Sequence, residues 1–179
     1  MRLFWSAETE PFFDTASDHE TLVTRPRDVT DNAVPAGTSL TAELLLKLGE
    51  ILHDAELTRR GTWIVETLAE PMAQHPQAFG NLLGAADAAI HGFVEVAIVG
   101  EPEDARFVAL AAEVCTRYLP ALALAGGPAA NAGGIGLLAD REARGAPTAY
   151  LCRGYTCEAP VTEPRALAEQ LEGVSRSAV

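Results

Sequence analysis

From Ser39 onward the chain moves between stretches whose apolar residues recur every three or four positions and stretches that are apolar throughout. Leu40, Leu44, Leu48 and Ile51 repeat at helical spacing, and Leu45 and Leu52 widen the stripe. Thr38 or Ser39, following Gly37, suits the N-cap, and Glu43 sits favourably in the early turns. The stretch "HDAELTRRG" interrupts the pattern. A second helix is predicted from Thr62 to Gln74, with Ile64, Leu68 and Met72 on one side. "HPQ" breaks it, and Pro76 fits the first turn of a third helix bearing Phe79, Leu82, Leu83, Ala86, Ile90 and Phe93. The many Ala and Gly residues of that helix allow close approach. Three amphipathic helices on short links predict stacked antiparallel pairs.

At Phe93 the period changes. "FVEVAIVG" reads as a buried strand, "EPEDARFVALAAEVCTRYL" as a helix with Phe107, Leu110, Ala111 and Val114 inward, and "ALALA" as a second strand. Strand, helix and strand in this order make a βαβ unit. The loop "GGPAANAGGIG" leads to a third strand, "TAYLC", and "VTEPRALAEQLEG" forms a terminal helix with Leu167 and Leu171 inside. Ahead of the first helix, Phe12–Phe13 and Leu22–Val23 flank Ser17–Asp18–His19 and predict a small β-hairpin.

Composition narrows the picture. The 179 residues hold 48% hydrophobic and 21% charged positions, the balance of a folded globular chain. A net charge of −12 disfavours nucleic acid and anionic membranes, because no basic excess is present to meet phosphates. No apolar run approaches the roughly 18 residues that span a bilayer. The first residues lack the apolar core of a secretory leader. The 3 cysteines do not build a secreted disulfide framework. The cytoplasm is the expected compartment, and no metal or cofactor is expected.

Candidate chemistry concentrates in two places. Gly100 lacks the rest of a dinucleotide fingerprint, and Glu101, Glu103 and Asp104 at the next helix start would repel an anion. Cys152 and Cys157 in "CRGYTC" have C-x4-C spacing, which leaves structural, reversible-disulfide and metal readings open. The loop "RPRDVTDNAVPAGTS", Arg25 to Ser39, is the densest polar segment. Asp28 and Asp31 could work as general acid and base, with Arg25 and Arg27 holding an anion. The same residue types also satisfy backbone groups in long loops and at helix starts.

"FFDTASDHETLVTRPRDVTDNAVPAGTS" resembles a signature of a widespread family of thioredoxin-domain-containing proteins related to spermatogenesis-associated protein 20. The family form is R-P-K-(D/E)-x-x-D-(N/G)-A-x-P-S-G-N-S. "VEVAIVGEPED" and "TAYLCRGYTCEAPVTEP" match further family segments in the same order. Ala36 and Thr38 stand where the family often has Ser and Asn. The resemblance implies the C-terminal region of a longer protein, in which a thioredoxin-like domain precedes an (α/α)6 toroid similar to six-hairpin glycosidases.

On that resemblance, residues 1–92 are a partial α/α toroid with an N-terminal β-hairpin and the signature loop, and residues 93–179 are a small α/β unit. It places the loop at the mouth of a carbohydrate-type cavity for a sugar-like small molecule. Asp28 and Asp31 are then the catalytic candidates, and Arg25, Asn32 and Ser39 the binding ones. The chain alone is not expected to be catalytic. Two other readings stand beside this one. The first is an interaction module that self-associates or pairs with missing toroid helices; the second is a redox accessory using Cys152 and Cys157.

Overall fold

The computed structural model describes residues 3–5, 12–20, 23–128, 133–154 and 156–176. The chain forms two compact units, Met1–Leu46 with Glu56–Ile90, and Lys47–Ala55 with His91–Val179.

The first helix, α1 (Gly37–Leu52), is followed by α2 (Ala55–Thr67), α3 (Ala69–Gln74), a 3-10 turn (Pro76–Ala78) and α4 (Gly80–His91). The α1 periodicity is helical as expected, but its buried face is rotated from the expected one. Ala42, Leu45 and Leu46 are buried, whereas Leu40 and Leu44 are exposed. Small residues decide this. A Cβ on Gly61 of α2 would lie 2.7 Å from Leu46 Cγ, so α1 and α2 touch where α2 has no side chain. α2 also starts earlier than predicted, at Ala55, and Glu56 in its first turn pairs with Arg59 at 2.8 Å and with Arg60 at 2.7 Å along the helix.

The single helix expected from Thr62 to Gln74 breaks at Leu68. Pro71 cannot donate to the Thr67 carbonyl, and its ring crowds that carbonyl, so α3 is a separate piece of 6 residues. No strand forms in the described part of residues 12–25, so the predicted hairpin is absent there; Leu22 lies outside the described residues. Backbone bonds Phe13 N to Phe4 O (3.0 Å) and Asp14 N to Pro26 O (3.0 Å) hold this segment instead. Trp5 packs against Phe12 and Trp63, with ring centroids 4.8 and 5.3 Å away.

The second unit contains β1 (Val94–Val99), α5 (Ala105–Cys115), β2 (Leu122–Gly127), a 3-10 turn (Gly136–Leu138), β3 (Thr148–Arg153), β4 (Thr156–Cys157) and α6 (Pro164–Arg176). The sheet order is β2-β1-β3-β4. β1 and β2 pair in parallel through the α5 crossover, while β3 runs antiparallel to both β1 and β4. Alternate residues Val94, Val96 and Ile98 form one core with Leu110 and Val114 of α5 and Leu167 and Leu171 of α6. The loop "GGPAANAGGIG" is described only in part, since residues 129–132 lie outside the described residues, as do tail residues 177–179.

This architecture corrects the expected partial α/α toroid. The fold is mixed, with six helices and a four-strand sheet among the described residues. A toroid needs long paired helices that bury continuous stripes. Here Pro71 leaves α3 too short for that, and the Leu40–Leu44 side of α1 faces solvent.

The close approach at Gly61 gives a direct test. Gly61→Ala should cost about 1–3 kcal/mol through overpacking against Leu46. The expected readout is a lower urea midpoint with an unchanged slope; an unchanged or higher midpoint would show that α1 yields without cost.

Candidate functional site

The loop from Arg25 to Ser39 is built around Asp31. One carboxylate oxygen, Oδ1, accepts the Ala36 N–H at 2.9 Å. The other, Oδ2, accepts the N–H groups of Asn81 at 2.8 Å and Leu82 at 3.2 Å. Asn81 and Leu82 lie in the first turn of α4, and Ala36 takes the Leu40 N–H at 3.1 Å at the start of α1. One carboxylate therefore serves two helix N-termini, where unpaired N–H groups and the positive dipole end favour an anion. The Asp31 N–H in turn donates to the Ala78 carbonyl at 2.8 Å, tying the loop to the turn before α4.

Burial alone would raise the Asp31 pKa. Hydrogen bonds from Ala36, Ser39, Leu82 and Asn81 outweigh it and hold the carboxyl below its ordinary value. The Ser39 hydroxyl is buried and falls short of normal hydrogen-bond geometry, so the backbone donors carry most of this effect.

The other candidates have their own local tasks. Asp28 Oδ1 accepts the backbone N–H and the hydroxyl of Thr30, both at 3.1 Å, in an Asx-type turn. The Asp28 N–H donates to Asp14 Oδ2 at 2.7 Å, and its carbonyl accepts the Thr38 hydroxyl at 3.3 Å. Arg25 donates through Nη2 to the carbonyls of Leu3 (3.1 Å) and Thr15 (2.6 Å). Its guanidinium lies 3.9 Å from the centroid of the Phe13 ring. Asn32 is exposed, and its N–H donates to the Val34 carbonyl at 3.2 Å. Asp31 and Ser39 are thus brought together. Among the described residues no hydrogen bond joins Arg25 or Asp28 to Asp31.

In the second unit a cleft of about 430 Å³ opens where β1 ends and α5 begins, lined by Gly100, Asp104, Arg106, Gly145 and Pro147 among others. A Cβ on Gly100 would lie 2.8 Å from Pro147 Cβ, so glycine is needed for the backbone to close this wall. Asp104 caps α5, accepting the Arg106 N–H at 2.8 Å, and pairs with the Arg106 side chain at 2.7 Å. The helix start is therefore satisfied by its own residues.

Cys152 of β3 and Cys157 of β4 stand opposite each other and are joined as a disulfide. Arg141 Nη2 lies 3.4 Å from Cys152 Sγ. No local signal marks Arg141, because it reaches the sulfur only through the fold of the 3-10 turn and β3.

Comparison with known proteins gives a distant relationship. Spermatogenesis-associated protein 20 of Rattus norvegicus is 25% identical over 169 residues, covering 91% of this chain and 21% of that protein. The Homo sapiens protein of the same name is 25% identical over 169 residues, covering 91% of this chain and 22% of that protein. The chain thus spans about a fifth of the length of these relatives. No family model and no solved structure matches it.

Asp31 supplies a test with a defined sign. Its folded pKa lies below the unfolded value of 3.8, so its stabilisation is present above that pH and is lost as pH falls through the folded value. At neutral pH, Asp31→Asn should lower stability by about 1–3 kcal/mol, because buried N–H groups lose a charged acceptor. The deficit relative to wild type should shrink below about pH 4 in urea titrations. A deficit that stays constant down to acid pH would show that the carboxylate charge is not what caps the helices.

Proposed function

We propose that this chain is the C-terminal region of a longer thioredoxin-domain-containing protein of the spermatogenesis-associated protein 20 type, and that it acts there as a non-catalytic docking module. The observation that carries this reading is the outward face of α1. Leu40 and Leu44, one helical turn apart, are 47% and 56% exposed. Val34, just before the helix, is 71% exposed. Burying each such side chain fully is worth roughly 1.5–3 kcal/mol, a strong incentive for a partner surface.

The proposed occupant is the remainder of the longer chain, since relatives matched over 91% of this sequence carry about four-fifths of their length elsewhere. The loop chemistry agrees with a supporting role. The Asp31 carboxylate and the Arg25 guanidinium both hold backbone groups of their own unit. The sugar-type cavity forms no part of the proposal, because it rested on a toroid ring.

The test compares the whole chain with a Leu40→Lys, Leu44→Lys double variant. The wild-type chain should bind an apolar dye and associate without fixed stoichiometry in light scattering. The double variant should lose both properties and keep its thermal midpoint. A dye-silent monomer, or a double variant whose midpoint falls by several degrees, would overturn the docking face. A defined dimer abolished by the substitutions would assign the face to a second copy instead.

A further inference from the structure

We propose that the Cys152–Cys157 pair is a redox-exchange site, in which a dithiol reductant attacks the Cys157 sulfur and Cys152 leaves as a thiolate beside Arg141. The two sulfurs differ sharply in access. Cys152 is 2% exposed, inside β3, whereas Cys157 is exposed at the end of the two-residue strand β4. Among the described residues β4 is an outermost strand of the sheet, and its partner is β3. Of the two cysteines, Cys157 is therefore the one open to an incoming thiol.

The leaving side is equally defined. Arg141 Nη2 lies 3.4 Å from Cys152 Sγ. The guanidinium is held there by a hydrogen bond from Nη1 to the Leu137 carbonyl and by the Tyr150 ring, whose centroid is 5.7 Å from Arg141 Cζ. A fixed cation next to one sulfur favours that sulfur as the anion, and the sulfur that leaves more readily as thiolate sets the direction of exchange. Access and charge select the same direction: attack at Cys157, departure of Cys152.

The step balances as follows. A reductant thiolate forms a bond to Cys157 Sγ while the Cys157–Cys152 bond breaks, and the electron pair leaves on Cys152. The second thiol of the reductant, after losing its proton to solvent, attacks its own partner sulfur and releases Cys157 as a thiolate that takes a proton from solvent. The reductant ends as a disulfide and the hairpin as two reduced cysteines, two electrons having moved. Cys115, the third cysteine, is free and exposed on α5, so it must be removed to read the pair cleanly.

The experiment uses the full chain carrying Cys115→Ser. It is exposed under native conditions to dithiothreitol and, separately, to reduced glutathione, followed by acid quench, maleimide labelling and peptide mass spectrometry. Dithiothreitol should reduce the pair completely while the far-ultraviolet spectrum stays folded. Glutathione should leave a mixed disulfide on Cys157. Arg141→Gln should slow reduction roughly three- to tenfold by raising the leaving thiol's pKa, with Arg141→Lys recovering part of the rate. Reduction only after the chain unfolds, or a glutathione adduct on Cys152, would overturn the proposal. So would an Arg141→Gln variant that is folded and reduced at the wild-type rate. Should Arg141→Gln fail to fold, the position of the glutathione adduct on the unaltered hairpin decides alone.

Discussion

A single carboxylate organises the first unit. Helix starts leave N–H groups without partners, and α1 and α4 begin within reach of one side chain, Asp31, which accepts from both. Polar loops cannot be packed tightly unless their backbone groups find such acceptors, and this arrangement stands beside the apolar packing of Leu45, Leu46, Leu82 and Ala85. Arg25 and Asp28 repeat the theme at shorter range, one gathering carbonyls from Leu3 and Thr15, the other closing a turn on Thr30. Asp31, Asp28 and Arg25 thus each hold backbone groups of their own unit.

Residue types alone do not show that the loop's side chains hold backbone groups in this way. An aspartate that caps a helix and an aspartate that serves as a general base are both ionised and both hydrogen-bonded. What separates them is the identity of the donors, and for Asp31 two of these lie 50 and 51 residues away. A local reading sees the Asx-type turn at Asp28 and Thr30, because its partner is two residues along. It cannot see that Asn81 and Leu82 return to the loop. The loop was therefore legible as a special segment, and the distant partners of Asp31 were not.

The fold divides in the same way. β1 reads from sequence because nearly all its residues are buried, and α5 because its inward positions keep one helical period. Helix α1 shows the opposite case. Its leucines are spread around the circumference, so periodicity identifies a helix without fixing which leucines go inside. That choice belongs to Gly61, whose missing side chain admits Leu46, and to Pro71, whose ring ends α2 and denies the unit a long third helix. Both are single residues whose effect lies on a neighbouring element, and the toroid expectation failed at these two points.

The disulfide closes a short hairpin at the edge of the sheet, with one cysteine buried and the other exposed. Its sequence separation is 5, so by chain entropy alone it contributes roughly 2 kcal/mol, restricting little beyond its own hairpin. The second unit already has Val94, Val96, Ile98, Leu110 and Leu167 packed behind the sheet, and both β4 residues are exposed, so the core draws nothing from that strand. A bond meant only to hold the sheet together would join elements distant in sequence, as the Asp31 carboxylate does in the other unit. This one instead joins a buried sulfur beside a fixed guanidinium to an exposed sulfur at an edge. Stability asks for neither the charge nor the asymmetry, whereas thiol exchange uses both.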